Sequence, residues 1–112
     1  MPLIKNIEHA QVHTLKELID YEDGQIASLT LASQPSAGIT LFSFDEDESM
    51  ATHAAGGDAM VVVLEGAVEI IVGGVRHTLH EGETIIMPQG VPHSLHSLTK
   101  FKMLLTVIFP SN

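Results

Sequence analysis

The sequence predicts an all-β protein of antiparallel strands, arranged as two packed sheets or a closed barrel. Two observations lead to this prediction. From residue 25 onward, apolar residues alternate with polar ones, and glycine or proline interrupts the pattern at short intervals. Such a pattern is typical of short strands joined by tight turns. In addition, no segment in this region has the helical periodicity of a crossover connection, so successive strands should run antiparallel.

The N-terminal arm, residues 1–24, contains the one segment with helical spacing. Leu15, Leu18 and Ile19 fall on one helical face, so a short helical turn is expected within residues 13–20. The barrel itself is expected to span residues 25–109, which makes residues 1–112 a single domain.

Nine strand-like segments follow the arm. The first has Ile26, Ser28 and Thr30 alternating with apolar neighbours, and an acidic run at 45–48 after the second is expected to form a solvated turn. Between Val72 and Val75, the pair Gly73-Gly74 indicates a two-residue hairpin, since both positions can adopt positive φ. The predicted strands lie at about residues 25–31, 39–44, 50–54, 59–65, 67–72, 75–80, 83–87, 93–97 and 101–109.

Composition restricts the classes of partner. Hydrophobic residues make up 45% of the 112 residues, as in a well-buried globular protein, and five Lys and Arg against 14 Asp and Glu give a net charge of −9. Such a surface repels phosphate backbones and anionic lipids, so we expect neither nucleic acid nor a membrane as partner. The chain has no cysteine and no apolar leader near Met1, and a cytoplasmic location is therefore expected.

The most informative stretch runs from Gly82 to His93. It reads as a turn at Gly82, a short apolar strand ended by Pro88, a reversal at Gly90, and a histidine held behind Pro92. These positions match the second motif of the cupin family, G-x5-P-x-G-x2-H-x3-N, except that Ser97 stands where the motif has Asn. The chain therefore resembles small single-domain cupins of the cupin 2 conserved-barrel type. The resemblance implies an RmlC-like antiparallel jelly-roll β-barrel, often a homodimer that exchanges N-terminal strands.

The first cupin motif, G-x5-H-x-H-x3,4-E-x6-G, falls on residues 47–66 but is eroded. His53 occupies the first histidine position and Gly66 the closing glycine, whereas Ala55 and Ala59 replace the second histidine and the glutamate. The family's metal shell is three histidines and one glutamate. Carried over residue by residue, the resemblance thus leaves His53 and His93 as ligands of a divalent metal ion such as Fe, Ni, Mn or Zn.

Two further residues are reserve candidates for a third ligand. Asp58 precedes Ala59, so in a regular strand its side chain would point to the opposite face, and only a bulge at Gly56-Gly57 could turn it inward. His77 shares a face with inward-directed strand residues. The simpler interpretation of both is a loop-end carboxylate and an ordinary strand residue.

Three functions remain open at this stage. In the first, a metal held by His53 and His93 acts on a small organic molecule. In the second, the barrel is a metal-free module that binds or senses a small apolar ligand. In the third, the barrel is solid and purely structural. The residues expected to line an apolar pocket near the histidine pair are Met60, Met87, Phe101 and Met103, although methionine also serves as ordinary core filler.

Overall fold

A computed structural model describes residues 2–111 of the chain. One 3₁₀ turn, Leu15–Leu18, precedes nine strands. Within residues 2–111, no helix is long and apolar enough to cross a membrane. The strands are β1 Ile26–Ser33, β2 Ala37–Phe44, β3 Ser49–His53, β4 Asp58–Glu65, β5 Ala67–Val72, β6 Val75–His80, β7 Thr84–Met87, β8 His93–Ser97 and β9 Phe101–Ile108.

The strands form two facing sheets. A five-stranded sheet has the order β1-β2-β9-β4-β7, and a four-stranded sheet has the order β3-β8-β5-β6. Every strand pairing is antiparallel. The nearly all-β, antiparallel architecture confirms the predicted jelly-roll class.

The hydrophobic core lies between the two sheets. Along β9, Phe101 and Met103 are fully buried, because alternate residues of this strand face the other sheet. The rings of Phe44 and Phe101 have centroids 5.0 Å apart in a tilted arrangement, a favoured geometry for aromatic pairs. Full burial of each such side chain contributes about 1.5–3 kcal/mol, so this layer holds the two sheets face to face.

The N-terminal arm covers part of the outer face of the five-stranded sheet. Ile19 packs in a second apolar cluster with Leu31 and Leu41. As predicted, Leu15 and Leu18 share the side of the helical turn that joins this cluster. The arm therefore protects apolar side chains that point away from the core.

A buried lysine fastens the arm to the sheet. The Lys102 ammonium donates to the carbonyl oxygen of Lys16 at 2.6 Å and lies 4.7 Å from the centre of the Tyr21 ring. The Tyr21 hydroxyl in turn donates to the carboxylate of Glu65. Burial and the adjacent Glu65 carboxylate raise the pKa of Tyr21 well above its usual range, so the phenol stays a neutral donor.

The turn residues behave as their chemistry predicts. Gly73 and Gly74 both have positive φ, at 55° and 82°, as a two-residue hairpin requires. The acidic run forms a turn in which Glu46 and Asp47 are exposed, as predicted. Asp45 accepts the backbone N–H of Gly24 at 2.7 Å and that of Glu46 at 2.8 Å. These two hydrogen bonds lower the pKa of Asp45.

Gly66 is a position that only glycine fits without a backbone shift. It has φ 80°, and a Cβ there would lie 2.0 Å from the carbonyl oxygen of Lys100. Gly74 has nearly the same φ, 82°, with open space around a Cβ. We therefore expect Gly74→Ala to lower the free energy of unfolding by only about 1–2 kcal/mol, the cost of the left-handed backbone. Gly66→Ala should cost about 3 kcal/mol or more, because the backbone must also shift.

Urea unfolding of the two variants beside the parent protein measures this difference. Equal losses in the two variants would show that the contact with Lys100 does not constrain the turn.

Candidate functional site

His53 and His93 meet at one end of the barrel. Their Nε2 atoms lie 3.2 Å apart, and their ring centroids are 4.3 Å apart with the rings edge to face. His93 is buried at 3% exposure, whereas His53 is exposed at the rim. The pair thus joins the interior of the barrel to the solvent.

A rigid corner positions His93. The amide of Val91 donates to the carbonyl of Pro88 at 3.2 Å, which closes a turn around Gly90, whose φ is 75°. The carbonyl of Pro92 accepts the amide of Gly73 at 2.9 Å, which ties the corner to the β5–β6 hairpin. His93 then begins β8 with its side chain on the same face as buried Leu95. This is the arrangement that the second motif predicted.

A β-bulge positions His53. Ser49 pairs with His96 and Met50 with Leu95, but His53 pairs with His93. Three steps along β3 therefore match two steps along β8. Without this extra residue, strand alternation would direct His53 outward, opposite to Met50. The bulge reverses the alternation and aims His53 at His93.

Two hydrogen bonds join the loops that carry the histidines. The Gly90 amide donates to the carbonyl of Ala55 at 3.1 Å. The Gln89 amide donates to Oδ1 of Asp58 at 2.8 Å. Asp58 is exposed and alternates with buried Ala59, so no bulge turns it toward the pair. The Asp58 carboxylate joins the two loops by this hydrogen bond. This agrees with the interpretation of Asp58 as a loop-end carboxylate and not with a role as metal ligand.

The remaining ring nitrogens both face carbonyl oxygens. Nδ1 of His53 lies 2.9 Å from the oxygen of Ala51, and Nδ1 of His93 lies 3.3 Å from the oxygen of Val91. A carbonyl oxygen only accepts, so both contacts are satisfied when each Nδ1 carries the hydrogen. In that tautomer the two Nε2 lone pairs face each other, and a cation between them, either a proton or a metal ion, stabilises the pair. In the other tautomer of one ring, its Nε2–H donates to the Nε2 of the second ring.

The electrostatics of His93 disfavour the proton. Burial lowers the pKa of His93 below its usual value; the carbonyl of Val91 acts in the opposite direction, and the neighbouring His53 lowers the pKa further. Near neutral pH, the pair is therefore poorly suited to hold a shared proton.

A third metal ligand is not in place. Among residues 2–111, no three His, Asp or Glu side chains are grouped so as to hold a metal ion. His77 pairs with Ile70 on the edge strand β6 and is exposed. It is two strands away from His93, whose partner on β5 is Val72, and is also offset by two residues along the ladder. The two histidines are therefore more than about 10 Å apart at the usual strand spacing. Ala59, at the position of the family's glutamate, faces the core with 1% exposure.

The predicted pocket residues separate into two sets. Met87, Phe101 and Met103 are buried in the core between the sheets, and their part in lining a pocket remains a prediction. Met60 was predicted wrongly. It lies between inward-facing Ala59 and Val61 and is 39% exposed, so alternation places it on the outer face of the sheet.

Ser97, the one departure from the second motif, has a structural role that the motif did not reveal. Its buried hydroxyl donates to the carbonyl of Asp45 at 2.6 Å and accepts the amide of Glu48 at 2.8 Å. Ser97 thereby clamps the β2–β3 turn against β8. The sequence signal was only the substitution itself, because the turn is about 50 residues away along the chain.

Comparison with known proteins agrees with this architecture. The family model described as "Cupin domain" matches residues 40–109. A conserved protein of unknown function from Streptococcus pyogenes is 41% identical, with a TM-score of 0.96 over 100% of this chain and 98% of that one. A cupin superfamily protein from Desulfitobacterium hafniense is 26% identical, with a TM-score of 0.91 over 96% of this chain and 98% of that one.

A third solved structure, a cupin 2 conserved barrel domain protein from Leptotrichia buccalis, is 35% identical. It has a TM-score of 0.81 over 83% of this chain and 45% of its own. A comparison with curated proteins found no match. The chain belongs to the cupin family.

The lowered pKa of His93 predicts a pH dependence of stability. In the unfolded chain this histidine has a pKa of about 6.5. Just below that pH, His93 is therefore more protonated in the unfolded state than in the folded state. The free energy of unfolding should therefore decrease as pH falls from about 6.5 toward the lowered pKa. NMR titration of chelator-treated protein should give His93 a midpoint below that of a histidine in an unstructured peptide.

His93→Gln serves as the comparison for stability. Its unfolding free energy should vary less with pH over the same window than that of the parent. A His93 midpoint at or above about 6.5 would contradict the prediction.

Proposed function

We propose that the protein binds a divalent metal ion through His53 and His93 and acts on a small organic molecule at the rim of the barrel. The observation that supports this proposal is the convergence of the two Nε2 atoms, which lie 3.2 Å apart. Each ring is oriented by a carbonyl oxygen at Nδ1, which is the usual outer support of a metal-binding histidine.

The spacing of the two nitrogens fits a chelated ion. Metal–nitrogen distances of about 2.0–2.1 Å at a tetrahedral angle place two donor nitrogens about 3.3 Å apart. The observed 3.2 Å is close to this value. Imidazole donors suit zinc, iron and nickel in particular.

Two protein ligands would leave several coordination positions for water and substrate. A bound divalent ion supplies Lewis-acid activation of an oxygen atom. The chain's own contribution is to orient both rings, to keep His93 uncharged by burial, and to leave His53 accessible from the solvent.

The surroundings of the pair favour a small substrate with little charge. Val72 is the direct cross-strand neighbour of His93, and Leu95 and Met50 follow on the same face. Apolar neighbours around a few polar groups are typical of sites for small organic ligands.

Metal titration tests the proposal. In chelator-treated protein without a histidine tag, calorimetric titration with Zn(II), Ni(II), Mn(II) or Fe(II) should detect about one ion per chain. His53→Ala removes one of the two donors, so it should weaken binding at least about tenfold, the lower bound seen even for outer-shell changes. Binding should also weaken as pH falls through the histidine range, because the donors must be neutral.

His80→Ala is the matched control, since His80 is exposed and lies beside Glu83 rather than a second histidine. It should leave the affinity unchanged. If His53→Ala and His80→Ala bind every tested metal as the parent does, the histidine pair is not the metal site.

The missing third ligand favours one alternative function, a metal-free module that binds a small apolar molecule. No group of three potential ligands exists within residues 2–111, and catalytic zinc sites generally have three. Under this alternative the parent protein takes up none of the metals, and His53→Ala changes ligand affinity only by a lost hydrogen bond.

We also propose that two copies of the chain associate through the outer face of the five-stranded sheet. Beyond the arm, this face carries exposed Met60 and Ile86, which are cross-strand neighbours, and exposed Ile108. On the far side of Thr106 in the same row, Ile39 is half-buried in the cluster beneath the arm. Grouped exposed apolar side chains such as those of Met60 and Ile86 are typical of interaction surfaces.

Light scattering coupled to size-exclusion chromatography should give the mass of two chains. Ile86→Lys places a charge within the row and should shift the mass toward one chain. Val75→Lys, at an exposed position on the other sheet, should not. A parent protein with the mass of one chain at high micromolar concentration would contradict this proposal.

A further inference from the structure

Ser49, His96 and Asp47 form a hydrogen-bonded chain on the outer face of the four-stranded sheet. The hydroxyl of Ser49 lies 2.5 Å from Nδ1 of His96, and Nε2 of His96 lies 2.9 Å from Oδ1 of Asp47. Ser49 and His96 are direct cross-strand partners in the β3–β8 ladder. Their side chains are on the opposite side of these strands from His53 and His93, so this cluster is separate from the proposed metal site.

The order of contacts determines the tautomer of His96. The Asp47 carboxylate only accepts, so it takes the hydrogen on Nε2. Nδ1 then presents its lone pair to the Ser49 hydroxyl. This is the arrangement of a serine nucleophile, a histidine base and an orienting carboxylate, with the two ring nitrogens exchanged relative to serine proteases.

The surrounding structure holds this cluster in place. Asp47 adopts φ 63°, and its amide donates to the carbonyl of Ser97 at 3.0 Å. The Ser97 hydroxyl also binds the neighbouring Glu48 amide. Aspartate adopts the left-handed region more readily than most residues, and these contacts hold Asp47 in it. On the other flank, Glu69 pairs with His96 in the ladder, and its carboxylate lies 3.4 Å from Nε of Arg76.

The edge position of β3 supplies a backbone donor. The carbonyl of Glu48 accepts the amide of Ser97 at 2.9 Å, so alternation along an antiparallel ladder turns the amide of Ser49 away from β8. β3 is the outermost strand of its sheet. The Ser49 N–H therefore points to the open edge, beside its own hydroxyl, where it can donate to a developing oxyanion.

We propose that Ser49 is an activated nucleophile that accepts acyl groups from small esters. The Ser49 oxygen forms a bond to the ester carbonyl carbon while Nδ1 of His96 takes the hydroxyl proton. The carbon–oxygen bond to the leaving alcohol then breaks, and His96 returns the proton to that oxygen. Water attacks the acyl-serine in the same way, so the net reaction converts an ester and water into an acid and an alcohol.

The surface around Ser49 restricts the substrate class. Ser49 is exposed on an open sheet face, so the site suits small activated esters rather than large ones that need an enclosed pocket. The adjacent turn carries four carboxylates, at residues 45–48. These charges favour neutral or cationic acyl donors over anionic ones.

The experiment combines covalent labelling with turnover. The chelator-treated 112-residue chain is incubated with a fluorophosphonate, in which the serine oxygen displaces fluoride from phosphorus, and the labelled residue is mapped by peptide mass spectrometry. Hydrolysis of a chromogenic aryl acetate is followed in parallel. We expect one label per chain on Ser49. Ester hydrolysis should fall at least about tenfold in Ser49→Ala and in His96→Ala, since a positioned base typically contributes more than this.

Asp47→Asn tests the positioning residue, because asparagine also tolerates the left-handed backbone. The substitution should lower kcat and leave KM unchanged. If Asp47 only stabilised the local structure, its replacement would change kcat and KM together. Ser33→Ala removes another exposed serine and should change neither labelling nor turnover.

Background hydrolysis by surface imidazoles is controlled with His80→Ala. His80 has an acidic neighbour, Glu83, at 3.4 Å, and its replacement should leave the rate unchanged. If Ser49→Ala is labelled and turns over the ester as the parent does, or if Ser33 is labelled as fast as Ser49, Ser49 is not activated and the proposal is wrong.

Discussion

The pairing of β3 with β8 is the constraint on which both side-chain clusters depend, the His53–His93 pair and the Ser49–His96–Asp47 chain. These strands lie about 40 residues apart along the chain, and their ladder brings His53 to His93 and Ser49 to His96. The bulge between Met50 and His53 separates the two pairs onto opposite faces. One local irregularity in an edge strand therefore decides that one histidine pair faces the barrel interior while the serine–histidine pair faces the solvent.

This ladder is short, and contacts outside it hold it in register. At one end the Ser97 hydroxyl clamps the β2–β3 turn. At the other, the Gly90 amide and the Asp58 carboxylate join the two loops beyond His53 and His93. Each contact satisfies backbone groups of turns and loops that no strand ladder pairs. The core layer around Phe44 and Phe101 supports the opposite sheet, so the rim can carry polar side chains without loss of the fold.

The eroded first motif changes the number of donors but not the orientation of those that remain. Ala55 and Ala59 remove two ligands of the family's metal shell, yet both remaining rings are still fastened at Nδ1 by carbonyl oxygens. Orientation of this kind comes from the backbone and is independent of the lost side chains. Only the two Nε2 atoms are therefore free to share a cation, which is the basis of the proposed function.

Much of the fold could be predicted from the sequence, because its signals are local. Alternation predicted all nine strands, and the chemistry of Gly73-Gly74 and Gly82 predicted turns where φ is indeed positive. His93 could be placed because proline and glycine stiffen its corner within a few residues. The inward direction of His53 could not be derived from alternation, since a bulge without glycine leaves no compositional mark. Met60 was misplaced because a list of apolar residues does not state which face of the strand each one occupies.

The sequence by itself determined the class of fold, the approximate positions of the strands and the backbone corner that presents His93, since these follow from the periodicity and turn preferences of neighbouring residues. Only the tertiary structure decided which distant side chains meet: His53 with His93, Ser49 with His96 and Asp47, and Ser97 with the turn at Asp45. The physical reason is that strand register and bulges are set by the packing of whole sheets, and one residue of shift transfers every side chain to the other face.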